Sequence, residues 1–207
     1  MSYKSPIEDF KYNLAMLNYD EVIAGIEKFK EYDSETLMSV VSEIGRLNEQ
    51  EVLDSNKIGD REGLKYVTDG AEGPEVHTPE RFKKLYDAVK SSGYVGATMP
   101  TQYGGGGAPF TTAILAGEIG IAANMAFYMG PGLSHGAMKT ILKKATEELK
   151  DKYLPNMTSG EWMGTMCLTE PQCGTDLGLI KSTAIPKDDH YELTGQKIWS
   201  SFGEHDL

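Results

Sequence analysis

The residues best equipped for chemistry lie in one stretch, Met166-Cys167-Leu168-Thr169-Glu170-Pro171-Gln172-Cys173-Gly174-Thr175-Asp176. Trp162, Gly164, Met166 and Leu168 alternate with Met163, Thr165 and Cys167, which predicts a strand ending at Leu168. A turn with Pro171 and Gly174 follows, where the hydroxyls of Thr169 and Thr175 meet free backbone N–H groups. Such a turn binds a diphosphate or the polar edge of a ring through its N–H and O–H donors. The same residues also describe a plain strand-to-loop junction in which Asp176 satisfies local amides. The pattern leaves both readings open.

Other features invite a chemical reading but have a plainer one. Gly104 to Gly107 suggests a phosphate cradle, yet the run lacks G-x-G-x-x-G spacing and leads into Ala108-Pro109. It reads as a flexible turn. Glu118, the lone acid in an apolar helical stretch, reads as a solvated or salt-bridged side chain. His135, between Gly132 and Gly136 near an expected helix start, reads as a polar cap or satisfied core histidine. Cys167 and Cys173 have neither the number for a disulfide framework nor a usual zinc spacing, so they read as reduced thiols. No metal ligand set is expected.

The elements that must position the stretch are mostly helical. Ser5-Pro6-Ile7-Glu8 has the form of a capping box, and Ile7, Phe10, Leu14 and Leu17 then make one apolar stripe. Ile23, Ile26 and Phe29 make a shorter stripe, and Leu37, Val40, Val41, Ile44 and Leu47 a third. Residues 54–77 are polar and without period, a long connection. Thr78-Pro79-Glu80 opens a helix carrying Phe82, Leu85 and Val89, with Gly93 as its stop. A largely buried helix is expected from about Phe110 to Met125. Thr146 caps a short helix that ends before Pro155. Beyond it, Ser182–Pro186 and His190–Thr194 read as strands joined by a turn at 187–189, and Gln196–Ser201 as a further strand. A helical part of roughly 160 residues thus precedes a few strands with edges left open, which predicts a second domain cut short.

Composition narrows the class. The 207 residues are 40% hydrophobic and 25% charged, as in an ordinary globular protein. The formal net charge of -11 argues against general nucleic-acid binding, because the chain would repel phosphate backbones. No run approaches ~18 consecutive apolar residues, so no membrane span is expected, and the N-terminus has no apolar signal core. A cytoplasmic location is the default expectation.

The stretch from Cys167 to Asp176 resembles the signature of the acyl-CoA dehydrogenase family through Cys167, Leu168, Thr169, Glu170, Gly174, Thr175 and Asp176. Leu193-Thr194-Gly195-Gln196-Lys197-Ile198-Trp199-Ser200-Ser201 is similar to the family's Leu-x-Gly-x-Lys-x-Trp-Ile-Thr element. Lys152-Tyr153-Leu154-Pro155 with Ser159-Gly160-Glu161 resembles its lead-in, and residues 95–105 also look alike. Departures are Cys173, Leu179, Ser200, Ser201 and Phe202. Residues 1–50 resemble the additional N-terminal helices of a longer subgroup, which acts on long-chain acyl-CoA and on a sulfur-containing propionyl-CoA.

The resemblance implies an α+β fold. Its parts are an N-terminal extension (1–50), an all-helical domain (51–160) and the start of an antiparallel β-barrel-like middle domain (161–207). It implies FAD as cofactor, α,β-dehydrogenation of an acyl-CoA thioester, an electron-transfer flavoprotein or similar acceptor, and a homo-oligomer for the intact enzyme. Met166, Leu168 and Thr169 would contact the flavin ring and ribityl chain. Gly174 and Thr175 would meet its diphosphate, with Thr175 also touching acyl-CoA. Trp199 would pack on the isoalloxazine and Ser201 would hydrogen-bond near N5. The family's catalytic carboxylate lies in a C-terminal domain that no residue here matches, so no catalytic residue is named and the chain alone is expected to be inactive. A non-catalytic remnant or interaction module of the same fold is the alternative.

Overall fold

The computed structural model describes residues 3–70 and 73–207. Seven α-helices and two β-hairpins are present among them, an α+β arrangement in which the helices carry the core. The helices are α1 (Ile7–Met16), α2 (Tyr19–Val22), α3 (Ser34–Leu47), α4 (Leu53–Glu62), α5 (Glu80–Ser91), α6 (Phe110–Lys144) and α7 (Glu147–Ser159). One hairpin pairs β1 (Lys65–Gly70) with β2 (Gly73–His77), and the other pairs β3 (Thr183–Pro186) with β4 (Tyr191–Thr194).

The apolar stripes fold as their spacing dictates. Phe10 and Leu14 of α1 pack with Leu37, Met38 and Val41 of α3, and Ile119 of α6 closes that cluster. A larger cluster joins Phe82, Leu85, Tyr86 and Val89 of α5 to Phe127, Tyr128 and Met138 of α6 and Leu154 and Met157 of α7. Phe127 lies at its centre, edge-on to Phe82 at 5.6 Å and to Tyr128 at 5.4 Å. Edge-to-face contacts of this kind add to simple burial. As expected, α5 stops just before Gly93, whose φ of +74° suits glycine.

Several local expectations are corrected. Pro6, not Ser5, precedes α1, and no side chain caps it. The Ser5 amide donates instead to Glu49 Oε1 at 2.7 Å. The Ile23–Ile26–Phe29 stripe is not a helix, since α2 ends at Val22 and only a short 3-10 turn covers Glu27–Phe29. The polar connection at 54–77 is regular structure: α4 reaches Glu62 and the first hairpin follows. Both strands of that hairpin stand near the surface, so no apolar alternation marked them. The first 160 residues are therefore not all helical. Between α3 and α4 the chain makes one π-helical turn, Asn48–Val52.

Helix α6 runs far past Met125. Its backbone breaks at Asn124 (φ −157°, ψ 92°), so it is two helical segments end to end. Its length and apolar composition would suit a membrane span, and here it packs on α3, α4 and α7. Helix α7 starts at Thr146, whose hydroxyl accepts from Leu149 N, and passes through Pro155 to Ser159. Buried Leu154, Met157 and Thr158 hold it across the bond that proline cannot donate.

The glycine run is a packed turn, not a loose one. Gly106 N donates to Gly96 O, Gly107 N to Met99 O and Ala108 N to Ala97 O, at 3.1, 2.8 and 3.0 Å. A Cβ on Gly105 would sit 2.2 Å from Met99 O, so only glycine fits there.

In the C-terminal part, β3 and β4 are the two strands expected around the turn at 187–189, and they pair in the register Thr183 with Thr194 through Pro186 with Tyr191. Residues 162–168 and 196–201, expected as strands, form no regular strand. The sheet of this part is thus a single hairpin among the described residues.

Candidate functional site

Although neither forms a strand, the two motif-bearing segments lie against each other. Ile198 N donates to Thr169 O at 2.9 Å, and Lys197 Nζ donates to Leu168 O at 3.0 Å. Cys167 Sγ lies 3.4 Å from Ser200 Oγ, and the Thr165 hydroxyl donates to Ser201 O. Thr165 meets Ser201, Cys167 meets Ser200 and Thr169 meets Ile198, so the pairing is antiparallel. Most of these links run through side chains, and Trp199 has φ +59°. A regular strand needs a backbone ladder and extended φ, and the segment offers neither.

A tight hairpin follows the first segment. Glu170 and Cys173 exchange N–H···O bonds, each 3.0 Å, around Pro171 and Gln172. The Glu170 side chain is 2% exposed and is the hub of the region. Its carboxylate accepts from Lys197 Nζ at 2.8 Å, Lys181 N at 2.8 Å, Ser182 N at 3.1 Å and the Gln172 amide. The Lys197 ammonium, with these N–H donors, holds the carboxyl well below the usual carboxylate range. Asp176 Oδ1 accepts from Gly178 N at 3.0 Å, the local role that the plain reading gave it.

Beyond this frame the donors are free. The N–H groups of Gly174, Thr175 and Asp176, and the hydroxyls of Thr169, Thr175 and Ser201, make no hydrogen bond among the described residues. Met166, Leu168 and Trp199 are exposed apolar side chains of the same two segments, Trp199 at 82%. An apolar and aromatic face with amide and hydroxyl donors at its edge fits a flat heteroaromatic ring carrying a diphosphate, as in FAD. The structure brings Met166, Leu168, Thr169, Trp199 and Ser201 together, while Gly174 and Thr175 continue from the hairpin.

Helix α6 supports this region from behind. Ser134 Oγ accepts from Gly164 N at 3.1 Å. The Phe202 ring lies over Gly130, where a Cβ would come within 2.7 Å of it. Asp206 then ties the following residues to the start of α5: it accepts from Thr78 N at 2.9 Å and from the Thr78 hydroxyl at 2.6 Å, and pairs with Lys83 Nζ at 2.9 Å. Burial pushes the Asp206 carboxyl up, but the bonds from Thr78, Lys83 and His77 outweigh it and hold the group well below the usual range. A cavity of about 400 Å³ lies here, lined by Pro79, Phe82, Asn124, Met129 and Phe202 among others. The wider groove of about 650 Å³ between α1, α2 and α3 shares no residue with the motif segments.

The remaining candidates keep their plainer readings. Glu118 is exposed on α6. His135 lies within α6 rather than near its start, and its Nε2 is 2.9 Å from Thr98 Oγ1, so it is a satisfied histidine. Burial pulls its pKa down. Cys167 is exposed and Cys173 buried, both free thiols, and no metal-ligand cluster occurs among the described residues. Sequence reasoning passed over Lys197 and Asp206. An acid in one motif and a base in the other was the available clue to the first.

Residues 65–161 match the family described as acyl-CoA dehydrogenase, N-terminal domain. Over 208 residues the chain is 33% identical to 3-methylmercaptopropionyl-CoA dehydrogenase of Ruegeria pomeroyi, covering 100% of this chain and 34% of that protein. The chain belongs to the acyl-CoA dehydrogenase family. It spans about a third of that relative's length. Among solved structures, a glutaryl-coenzyme A dehydrogenase in complex with glutaryl-CoA is similar with a TM-score of 0.69 and 26% identity, covering 81% of this chain and 40% of that one. An acyl-CoA dehydrogenase complexed with FAD from Bacillus anthracis is similar with a TM-score of 0.64 and 26% identity, over 82% of this chain and 27% of that one. The helical region and small antiparallel sheets correspond to the N-terminal part of this family.

Proposed function

We propose that this acyl-CoA dehydrogenase chain supplies the flavin-facing side of a site for α,β-dehydrogenation of an acyl-CoA thioester. The observation that carries the reading is the antiparallel pairing of residues 165–170 with 197–201, which brings the two motif segments, with their exposed apolar side chains and unpaired donors, side by side. Bound FAD would supply hydride acceptance from the substrate Cβ. Trp199, Met166 and Leu168 pack on the ring and exclude water from that face. Thr169 and Ser201 donate to its polar edge, Ser201 near N5. Gly174 and Thr175 donate to the diphosphate, and Thr175 also reaches the acyl-CoA.

No residue of this chain is assigned as the base. In this reading the carboxylate that takes the Cα proton comes from the part of the relatives' length that lies outside these 207 residues. The β3–β4 hairpin and the paired segments then belong to a larger, barrel-like antiparallel sheet, a middle domain from residue 161 on. Residues 1–50 form the extension and 51–160 the helical domain. An electron-transfer flavoprotein or similar carrier reoxidises the flavin, and the working enzyme is a homo-oligomer.

The test is to mix the purified chain with FAD and measure retained flavin by absorbance after gel filtration. Near-stoichiometric retention is expected. A folded chain that retains none overturns flavin binding by these residues alone.

A further inference from the structure

The two motif segments are held together at one point more firmly than elsewhere, and that point is a buried charge. Glu170 brings a carboxylate into a position where its side chain is 2% exposed, with its ion-pair partner Lys197 at 29%. Burying a charge is costly unless its lone pairs are filled. Here they are filled by donors from separate places: Lys197 in the second segment, the amides of Lys181 and Ser182 leading into β3, and Gln172 in the hairpin. Lys197 in turn spends a further bond on Leu168 O, on the first segment. One residue beyond Lys197, Ile198 N closes the only amide-to-carbonyl bond between the segments among the described residues. Trp199 and Ser201 follow directly, and Trp199 makes little contact of its own. Their placement is therefore inherited from Lys197 and Ile198.

We propose that Glu170 is a positioning residue: through Lys197 it sets the register of residues 197–201 against 165–170, and so places Trp199 and Ser201 on the flavin face. This rests on the flavin reading above, and it adds a role for a carboxylate that faces inward and takes no part in proton transfer. Glu170→Gln removes the charge and turns an NH2 group toward backbone N–H donors, so the hub opens without a change in size.

The experiment uses the full 207-residue chain with Glu170→Gln, Lys197→Met and Lys197→Arg. Amide hydrogen exchange is followed by NMR, alongside FAD affinity and the visible band of the bound flavin. Glu170→Gln and Lys197→Met should each speed exchange at Ile198, Lys181 and Ser182 by ~10-fold while buried helical amides such as Phe127 and Val89 keep their rates. They should also weaken FAD binding by ~10-fold and shift the flavin band, and Lys197→Arg should retain most of the wild-type behaviour. Wild-type exchange at Ile198 in Glu170→Gln would overturn the proposal. So would faster exchange across the helical core in both variants, which would make the hub a matter of global stability. Unaltered FAD affinity and flavin band in Glu170→Gln would overturn it equally. If the wild-type chain binds no FAD, the flavin reading fails, and the exchange rates alone decide the register role.

Discussion

Replacing Asn124 by alanine tests how α6 is aimed at the site. Asn124 is 1% exposed and sits at the break in the helix. Its Oδ1 accepts from Phe127 N at 3.1 Å, so it is the N-cap of the second helical segment. Its Nδ2 donates to Ser55 Oγ at 2.8 Å, tying α6 to α4. Alanine tolerates the extended backbone at this position, so the loss is that of the two bonds. A lost cap costs ~1 kcal/mol, and a lost buried hydrogen bond about the same. Together these predict about 2 kcal/mol, or a fall in Tm of ~4–8 °C for a chain of this size. Thermal unfolding followed by far-UV circular dichroism reads this directly. Asn124→Ser keeps the cap and should recover roughly half of the loss. In a double-mutant cycle with Ser55→Ala, the pair should show a coupling of ~1 kcal/mol. A Tm for Asn124→Ala within ~1 °C of wild type would refute the idea that this side chain sets the break.

Other consequences are as direct. Gly105→Ala should destabilise the chain by ~1–3 kcal/mol in urea unfolding, because its Cβ would press on the Met99 carbonyl. The buried His135 has a folded-state pKa below its unfolded value. Between those two pKa values the unfolded chain binds more protons, so stability should fall as pH drops below ~6.5, and His135→Gln should flatten that slope in unfolding measured from pH 7.5 to 5.5. A thiol reagent should label Cys167 rapidly and Cys173 only after unfolding, since one is exposed and the other buried. Two fast thiols per chain would contradict the packing of the Glu170–Cys173 hairpin.

What could be read from the residues divides along physical lines. The stripes of α1, α3 and α5 were legible, because burial on one face imposes a period, and the β3–β4 hairpin, exposed throughout, was legible from the turn residues at 187–189. The first hairpin was not, because its strands are polar and glycine-containing and show no period. Nor was the full length of α6: Asn124 and Pro131 look like helix breakers, yet Asn124 caps a second segment and the core holds Pro131 within it. The motif segments were recognised by residue type, but their expected strands were wrong. Side-chain links through Thr165, Cys167 and Lys197 replace the ladder, and a left-handed Trp199 ends the extended run. The hub at Glu170 joins residues far apart in sequence, and no local pattern encodes such a meeting.

Flavin binding by the two motif segments is tested most directly by where FAD meets the chain. Hydrogen exchange of the wild-type chain with and without FAD gives that location residue by residue. Protection at Gly174–Asp176 and Ile198–Ser201, with helical amides unchanged, is the expected result. FAD that leaves those amides exchanging freely, or that protects a different surface, would contradict it.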